Sequence, residues 1–262
     1  MSVQGGSLVA VGIGIRAPAQ ATLEVSAQIE RAEKVFSVVA DPLAAYWIRK
    51  LNAKTESLGT LYAVGKPRKQ TYREMVERIT GAVCDGLRVC AVAYGHPGIF
   101  AYPLHESIRI LREMGYAASM LPGISAQDCF FADAGIDPAA GGCRSYEATD
   151  FLVYRRATDT TTGLLLWQIG SIAESSVRNS DDAWNRDGLL VLAQRLSEDY
   201  RPNHEVIVYE AARLPLCDST VIRVPLERLA EAPVTALSTL YVPPMTNPKI
   251  DRVTARRLGL VR

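Results

Sequence analysis

The segment TLYAVGKPRKQTY, residues 60–72, contains two phenols and one guanidinium, those of Tyr62, Tyr72 and Arg68. A guanidinium beside a phenol favours the phenolate and lowers the phenol pKa, and the positive end of a helix dipole acts in the same direction. A phenol with a lowered pKa can act as a general base. Composition alone favours a plainer interpretation, in which the tyrosines cover a sheet edge and Arg68 is a surface charge.

A second group of residues follows the apolar run VCAVA, residues 89–93, in the turn YGHPG, residues 94–98. A lone histidine in a turn ordinarily caps backbone groups or faces water, and this is the default interpretation of His96. No two of the three histidines have metal-ligand spacing, and no G-x-S-x-G elbow occurs. The sequence therefore predicts neither a metal site nor a serine triad.

The segment VGIGIRA, residues 11–17, matches the pattern G-x-G-x-x-A and follows a predicted strand. Pro18 comes at once, the next helix starts only near Thr22, and Asp41 lies too far along the chain to be the acidic ribose partner. These departures argue against a dinucleotide site. A glycine turn that lets backbone pass close by is the favoured interpretation of Gly12.

The composition limits the classes of protein to which the chain can belong. Its 262 residues are 48% apolar, enough for one large or two modest domains, and the net charge of +1 shows no basic excess for nucleic acid. Five cysteines without a C-x-x-C pair fit a reducing cytoplasm better than a disulfide framework or a zinc site. The N-terminus does not resemble a signal peptide, and no apolar run reaches membrane-spanning length. We therefore expect a cytoplasmic protein that binds neither nucleic acid nor membrane.

Strands and helices alternate through the first half of the chain, which predicts an α/β fold with a mainly parallel sheet and helices on both faces. Two capping boxes, Thr71–Glu74 and Ser125–Asp128, indicate helix starts. Ligands of such sheets lie at the carboxyl ends of strands, where glycine-rich turns are found in this chain. The predicted strands cover residues 7–13, 34–39, 87–94 and 117–121, and the predicted helices cover residues 23–32, 42–51, 71–85, 104–114 and 125–134.

The second half of the chain has a different pattern, with several strands and one strong helix. The predicted strands cover residues 163–169, 204–210, 221–225 and 238–242, and the helix covers residues 189–198. Residues 175–187 read as a polar loop. We place a domain boundary near Ala157, which divides the chain into residues 1–156 and 157–262.

Seven segments, taken in order, resemble the tetrapyrrole-methylase superfamily of S-adenosylmethionine (SAM) methyltransferases. They are GSLVAVGIGI, YGHPGIFA, EMGYAASMLPGISAQDCFFADAGIDP, YEATDFL, LLLWQIG, EVIVYEAA and LSTLYVPP. The resemblance covers nearly the whole chain, residues 6–244. Many members of the superfamily carry aspartate where this chain has His96. The histidine form, YGHPG, resembles the borosin branch, which consists of peptide backbone α-N-methyltransferases.

The resemblance implies a two-domain α/β fold that binds SAM between the domains, with a mixed-sheet second domain, and S-adenosylhomocysteine as the product. It also implies that the turn glycines let backbone approach the cofactor. The residues that the resemblance assigns to the cofactor are Gly12, Tyr94, His96, Pro97, Ile99, Ser125, Ala126, Gln168, Tyr209, Ser238 and Thr239.

The resemblance also assigns catalysis to a tyrosine, an arginine and a second tyrosine spaced Y-x5-R-x3-Y, which this chain carries as Tyr62, Arg68 and Tyr72. An amide nitrogen is a poor nucleophile, because its lone pair is delocalised into the carbonyl. We assign Tyr72 as the base, Arg68 as the stabiliser of its charge, and Tyr62 as a hydrogen-bond donor to the imidate oxygen. Members of the family can carry a further tyrosine where this chain has Gly59, so a supporting role at that position is in doubt.

Borosins of the fused type carry their substrate as a C-terminal extension, and this chain ends 18 residues after Pro244. We therefore expect a split system in which a separate precursor protein binds a homodimer, giving a heterotetramer with two precursors. A methyltransferase for a tetrapyrrole or corrin precursor is a competing hypothesis, but the carboxylates of such a substrate would require several basic side chains. An RNA ribose methyltransferase is disfavoured by the neutral charge, and a non-catalytic regulator is a further hypothesis from a different class.

Overall fold

The computed structural model describes residues 5–176, 186–214 and 216–261, and the chain divides into two compact units. The first unit consists of Met1–Asp133, Glu174–Asp182 and Ala211–Ser219, and the second of Ala134–Ala173, Ala183–Glu210 and Thr220–Arg262. The chain thus returns twice to the first unit after leaving it.

The first unit contains a five-stranded, fully parallel sheet with the strand order β3-β2-β4-β1-β5. Short runs rich in β-branched residues form its central strands, as the sequence predicts. The strands are β1 (Ser7–Gly12), β2 (Lys34–Val38), β3 (Thr55–Ser57), β4 (Arg88–Ala93) and β5 (Ala117–Leu121). Strand β3 is too short to give a signal in the sequence and is absent from the predicted strands.

Helices cover both faces of this sheet, which confirms the predicted architecture. They are α1 (Leu23–Arg31), α2 (Pro42–Leu51), α3 (Arg68–Cys84), α4 (Tyr102–Glu113) and α5 (Ala126–Ala134). Alternate residues of β4 face opposite layers: Val89 and Ala91 pack with α3 and α4, whereas Cys90 and Val92 pack with α1 and α2. A fully buried side chain such as Ile48 contributes roughly 1.5–3 kcal/mol through the hydrophobic effect.

Helix α3 starts three residues earlier than predicted, and the Thr71–Glu74 capping box is wrong. The helix begins at Arg68, directly after Pro67, so Thr71 lies inside it. The Thr71 hydroxyl is buried without a partner among the described residues, and Glu74 pairs instead with Lys66. The T-x-x-E pattern is ambiguous, because residues three apart also lie close together in the interior of a helix.

The second unit contains a mixed five-stranded sheet with the order β6-β7-β10-β8-β9, in which only β6 and β7 run parallel. The strands are β6 (Cys143–Glu147), β7 (Gly163–Trp167), β8 (Glu205–Glu210), β9 (Thr220–Pro225) and β10 (Thr239–Val242), and the helices are α6 (Ala148–Val153), α7 (Arg186–Ser197) and α8 (Arg252–Arg257). One apolar cluster, which includes Leu189 and Leu192 of α7, packs on the buried residues of this sheet. The predicted mixed sheet is therefore confirmed.

The change of compact unit after Asp133 comes before the boundary predicted between residues 156 and 157. The reason is strand β6, which pairs with β7 and so places the chain in the second sheet by Cys143. Its sequence CRSYE alternates weakly in hydropathy and gives no clear strand signal. Most of the predicted loop at residues 175–187 lies outside the described residues.

In the described parts of the chain, no helix is long and apolar enough to cross a membrane. Among the same residues, no three His, Cys, Asp or Glu side chains are grouped so that they could hold a metal ion.

Candidate active site

Three glycines pack together where β1, β4 and β5 end. A Cβ atom on Gly123 would lie 2.6 Å from the carbonyl oxygen of Gly95 and 2.9 Å from the Cα of Gly12, and a Cβ on Gly12 would collide with the same oxygen. Gly95 also has a φ of +69°, which favours glycine. The glycines therefore let three turns pack backbone against backbone, so the protein's own packing requires them before any ligand is considered.

The turn after β4 is closed by two histidines. The backbone N–H of Gly98 donates a hydrogen bond of 2.9 Å to His96 Nδ1, and His105 Nε2 donates one of 2.8 Å to the Gly98 carbonyl oxygen. Aspartate forms the same bond to the N–H two residues ahead in an Asx turn. His96 thus does here what aspartate could do. The default interpretation of a backbone-capping histidine is confirmed.

The proposed cofactor residues of the first unit lie at the same carboxyl edge of the sheet. The predicted Ser125–Asp128 capping box is confirmed, because Ser125 donates from both its backbone N–H (2.6 Å) and its hydroxyl (2.7 Å) to Asp128 Oδ2. Ala126 is the first residue of α5. Tyr94 is half-buried, Pro97 is buried, and Ile99 leaves 43% of its surface exposed.

The three proposed catalytic residues also come together in the first unit. Tyr62 follows a short 3-10 helix, Leu58–Leu61, that begins at the end of β3, and Arg68 is the first residue of α3. Tyr72 is the fifth residue of that helix rather than a member of its first turn. Tyr62 and Tyr72 pack half-buried against the same apolar cluster. The Tyr72 ring centroid lies 6.2 Å from that of Tyr102, which begins the helix after the His96 turn.

The pKa of Tyr62 is raised, whereas the sequence predicted a lowered phenol pKa. Burial raises the pKa of Tyr62 to about 12, and the neighbouring Tyr72 adds to this rise through its charge and a hydrogen bond. Arg68 acts in the other direction but is outweighed. The loss of hydration destabilises the phenolate more than the attraction to the guanidinium stabilises it. Tyr62 is therefore a neutral hydrogen-bond donor at physiological pH.

A contact that the sequence did not reveal holds the start of α3. The backbone N–H of Arg68 donates to the carbonyl oxygen of Ser175 at 3.0 Å, and Pro67 forms an isolated β-bridge with Ser176. Both serines lie in a segment that returns to the first unit from far along the chain. No local pattern signals such a pairing, which is why the sequence indicated only a polar loop.

The second unit brings its own predicted residues to one edge of the mixed sheet. Gln168 follows the end of β7, Tyr209 is register partner to Thr239, and the backbone N–H of Ile169 donates to the carbonyl oxygen of Ser238 at 3.1 Å. Gln168 has φ 58° and ψ 38°, a left-handed conformation that costs free energy in a residue other than glycine and recurs at functional sites. Tyr209, Ser238 and Thr239 are buried.

These two sheets, with glycine turns at the carboxyl edge of the parallel one, place the molecule in a class of two-sheet α/β proteins. Over residues 7–230 the chain matches the family of Tetrapyrrole (Corrin/Porphyrin) Methylases. The chain belongs to this methylase family.

Several proteins are similar in sequence along nearly the whole chain. One from Anomoporia bombycina, named a methyltransferase and ribosomally synthesized type III borosin cyclic peptide precursor, is 42% identical over 98% of this chain and 30% of its own length. Others from Gymnopus fusipes and Omphalotus olearius, named methyltransferases and precursors of gymnopeptides and omphalotin A, are 39% and 38% identical over 98% of this chain and 62% of their own length. The chain thus spans less than two thirds of these relatives.

Solved structures support the fold. A uroporphyrin-III-C-methyltransferase from Thermus thermophilus superposes with a TM-score of 0.65 over 98% of both chains at 16% identity. A cobalt precorrin-4 methyltransferase superposes with a TM-score of 0.60 over 90% of this chain and 94% of its own, at 15% identity. At such low identity the similarity concerns the fold alone.

Proposed function

We propose that the chain is a SAM-dependent methyltransferase that methylates backbone amide nitrogens of a ribosomally made precursor peptide. The observation that carries the proposal is the half-buried pair of phenols next to Arg68. The positive charge of Arg68 acts on the Tyr62 phenol and favours its charged form. Two phenols with one guanidinium suit a neutral amide better than a substrate with many carboxylates, which would require several basic side chains. The relatives that are 38–42% identical are named as methyltransferases and precursors of ribosomally synthesized cyclic peptides, which supports a peptide substrate.

The proposed mechanism divides the work between the two phenols. Two neighbouring phenols do not ionise together readily, because the first charge opposes the second. Since the pKa of Tyr62 is raised to about 12, Tyr62 keeps its proton and donates a hydrogen bond to the developing imidate oxygen. Tyr72 is the base that takes the proton from the amide nitrogen, and Arg68 stabilises the anionic form of the site.

SAM, when bound, supplies an electrophilic methyl group. We propose that the residues at the edges of the two sheets hold it. Those of the first unit are Gly12, Tyr94, His96, Pro97, Ile99, Ser125 and Ala126, and those of the second are Gln168, Tyr209, Ser238 and Thr239. They fit a cofactor with apolar and polar parts, because they include the partly exposed side chain of Ile99 as well as the hydroxyl-bearing residues Ser238 and Thr239.

The experiment requires an acceptor of known sequence. A flexible Gly/Ser linker followed by a short Val/Ile/Gly segment, added after Arg262, supplies one at high effective concentration. After incubation with SAM, intact mass and fragmentation should reveal methyl additions on backbone amides of that segment. SAM binding without any methyl addition to the probe would contradict peptide methylation and favour a small-molecule substrate.

We also propose that the precursor is a separate chain bound by a homodimer. The same Val/Ile/Gly segment, given as a free peptide, tests for methylation in trans, and analytical ultracentrifugation tests for the dimer. Methylation of the attached probe alone, with a monomer in solution, would contradict both proposals while leaving the reaction class intact.

A further inference from the structure

Lys66 connects the two ends of the loop that carries the proposed catalytic residues. Its Nζ donates a hydrogen bond of 2.8 Å to the carbonyl oxygen of Leu61, the residue before Tyr62. The same Nζ forms an ion pair of 2.5 Å with Glu74 Oε2, two residues after Tyr72 on α3. One ammonium group therefore bridges the backbone beside one phenol and the helix that bears the other.

The bridge is partly shielded from water. The Lys66 side chain is 19% exposed and that of Glu74 is 31% exposed, less than most ion pairs of the first unit. Gln70 Nε2 supports Glu74 with a hydrogen bond of 3.2 Å to Oε1. The bond from Lys66 lowers the pKa of Glu74, so its carboxylate is charged at neutral pH. An ammonium so placed has a defined position, unlike a solvated surface lysine.

The loop between the two phenols needs such a support. Gly65 lies in it with a φ of +75°, and nothing lies within 4 Å of the position where its Cβ would be. Val64 is 65% exposed. Apolar packing therefore holds the middle of the loop weakly, and the Lys66 side chain adds polar contacts to both of its ends.

We propose that Lys66 is a positioning residue that, together with Glu74, sets the separation of the Tyr62 and Tyr72 hydroxyl groups. The proposal rests on the proposed amide methylation for its catalytic meaning, but the geometry can be tested separately. Misplacement of a reacting group by about 1 Å can cost up to roughly hundredfold in rate. Lys66 touches neither substrate nor cofactor in this proposal, and it acts through the two phenols.

The first experiment compares variants that carry the attached Val/Ile/Gly segment. Lys66→Met should lower kcat by about tenfold to hundredfold while the SAM dissociation constant changes little. Lys66→Arg should keep most of the activity, because a guanidinium can donate to both acceptors. Lys69→Met is the matched control, since it removes an exposed lysine charge three residues further along the chain, and we expect parental activity.

A charge swap separates positioning from simple stabilisation. Lys66→Glu combined with Glu74→Lys restores an ion pair but removes the donor to the Leu61 carbonyl, so we expect folding stability to recover and kcat to stay low. Full recovery of kcat in the swapped protein would overturn the proposal. A parental kcat in Lys66→Met would overturn it as well.

A second measurement does not depend on methylation. The difference between the alkaline absorbance titrations of a protein and of its Tyr62→Phe variant isolates the Tyr62 phenol. In the Lys66→Met background this titration should move from a pKa of about 12 towards the ordinary 10.0, because the loop opens to water. An unmoved titration would overturn the positioning role. If the parent protein fails to methylate the probe, the proposed function fails and this titration alone decides the role of Lys66.

Discussion

The glycine turns at the carboxyl ends of β1, β4 and β5 and the loop from Tyr62 to Tyr72 belong to the same unit but are held in different ways. In the turns, Gly12, Gly95 and Gly123 pack backbone against backbone, in positions that the register of parallel strands determines. In the loop, a side chain reaches from Lys66 to a backbone carbonyl and to a carboxylate on the next helix.

The two regions should therefore be sensitive to different kinds of substitution. Backbone packing leaves no room for an added atom but does not depend on charge. The loop has open space at Gly65 and depends on charge, hydrogen bonding and partial burial. We therefore expect added side-chain volume to destabilise the turns. We expect the loss of charged or hydrogen-bonding groups to disrupt the loop.

The largest effect is expected in the loop. Tyr72→Phe removes the proposed base and should lower methylation of the attached peptide by at least about hundredfold, with SAM affinity and melting temperature nearly unchanged. Intact-mass time courses measure the rate. Tyr46→Phe, at an exposed tyrosine of α2, is the control. A normal rate in Tyr72→Phe would show that the base lies elsewhere.

The next largest effect is expected in the turns. Gly12→Ala places a Cβ against the Gly95 oxygen and 2.6 Å from Pro97 Cδ, and should lower the free energy of unfolding by about 1–3 kcal/mol or more. Urea denaturation measures it. Gly81→Ala, inside α3 with no atom within 4 Å, should instead stabilise the protein by up to about 1 kcal/mol. Equal effects in both variants would contradict the close backbone packing.

His96 tests whether the turn needs a side-chain acceptor. His96→Ala leaves the Gly98 N–H without its partner and should weaken SAM binding by about 1 kcal/mol, roughly fivefold. His96→Asn keeps an acceptor for the same N–H and should bind SAM nearly as well as the parent. Isothermal titration calorimetry measures both. Equal losses in the two variants would mean that the imidazole acts in another way than by closing the turn.

Alkaline pH should affect the loop and leave the turns unchanged. The folded state holds the Tyr62 proton more tightly than the unfolded state, since the pKa of Tyr62 is raised from 10.0 to about 12. This contribution to stability is fully present below pH 10.0 and is lost as the pH rises towards 12. Urea denaturation across this range should show a steeper decline in the parent than in Tyr62→Phe. Identical declines would contradict the raised pKa.

The smallest effect is expected at Thr71, where the capping interpretation and the structure predict opposite signs. Its hydroxyl is buried without a partner among the described residues. Thr71→Val keeps the shape and removes the unsatisfied group, so the free energy of unfolding should rise by roughly 0.5–1 kcal/mol. A destabilised Thr71→Val protein would indicate that the hydroxyl has a bonding partner.

Much of the fold could be predicted from the sequence, because the signals are local. Helix α2 and strand β5 have the predicted bounds, and the Ser125–Asp128 capping box forms as expected. Strand β6 could not be predicted, since its residues alternate weakly and its pairing with β7 supplies the stability. The same holds for Ser175, whose contact with Arg68 depends on a distant segment returning to the first unit.

The order of amino acids alone shows which residue types are available for chemistry and that Tyr62, Arg68 and Tyr72 lie near a helix start. The burial of these side chains and their electrostatic surroundings depend on how the chain folds. The guanidinium alone predicts a lowered phenol pKa, but burial and a second phenol reverse the sign at Tyr62. The sequence predicted Glu74 as part of a helix cap, whereas the fold places it in an ion pair with Lys66. The hydration of each side chain and the distances between side chains are set only when the chain folds. These two quantities determine the pKa values and the ion pairs of the site.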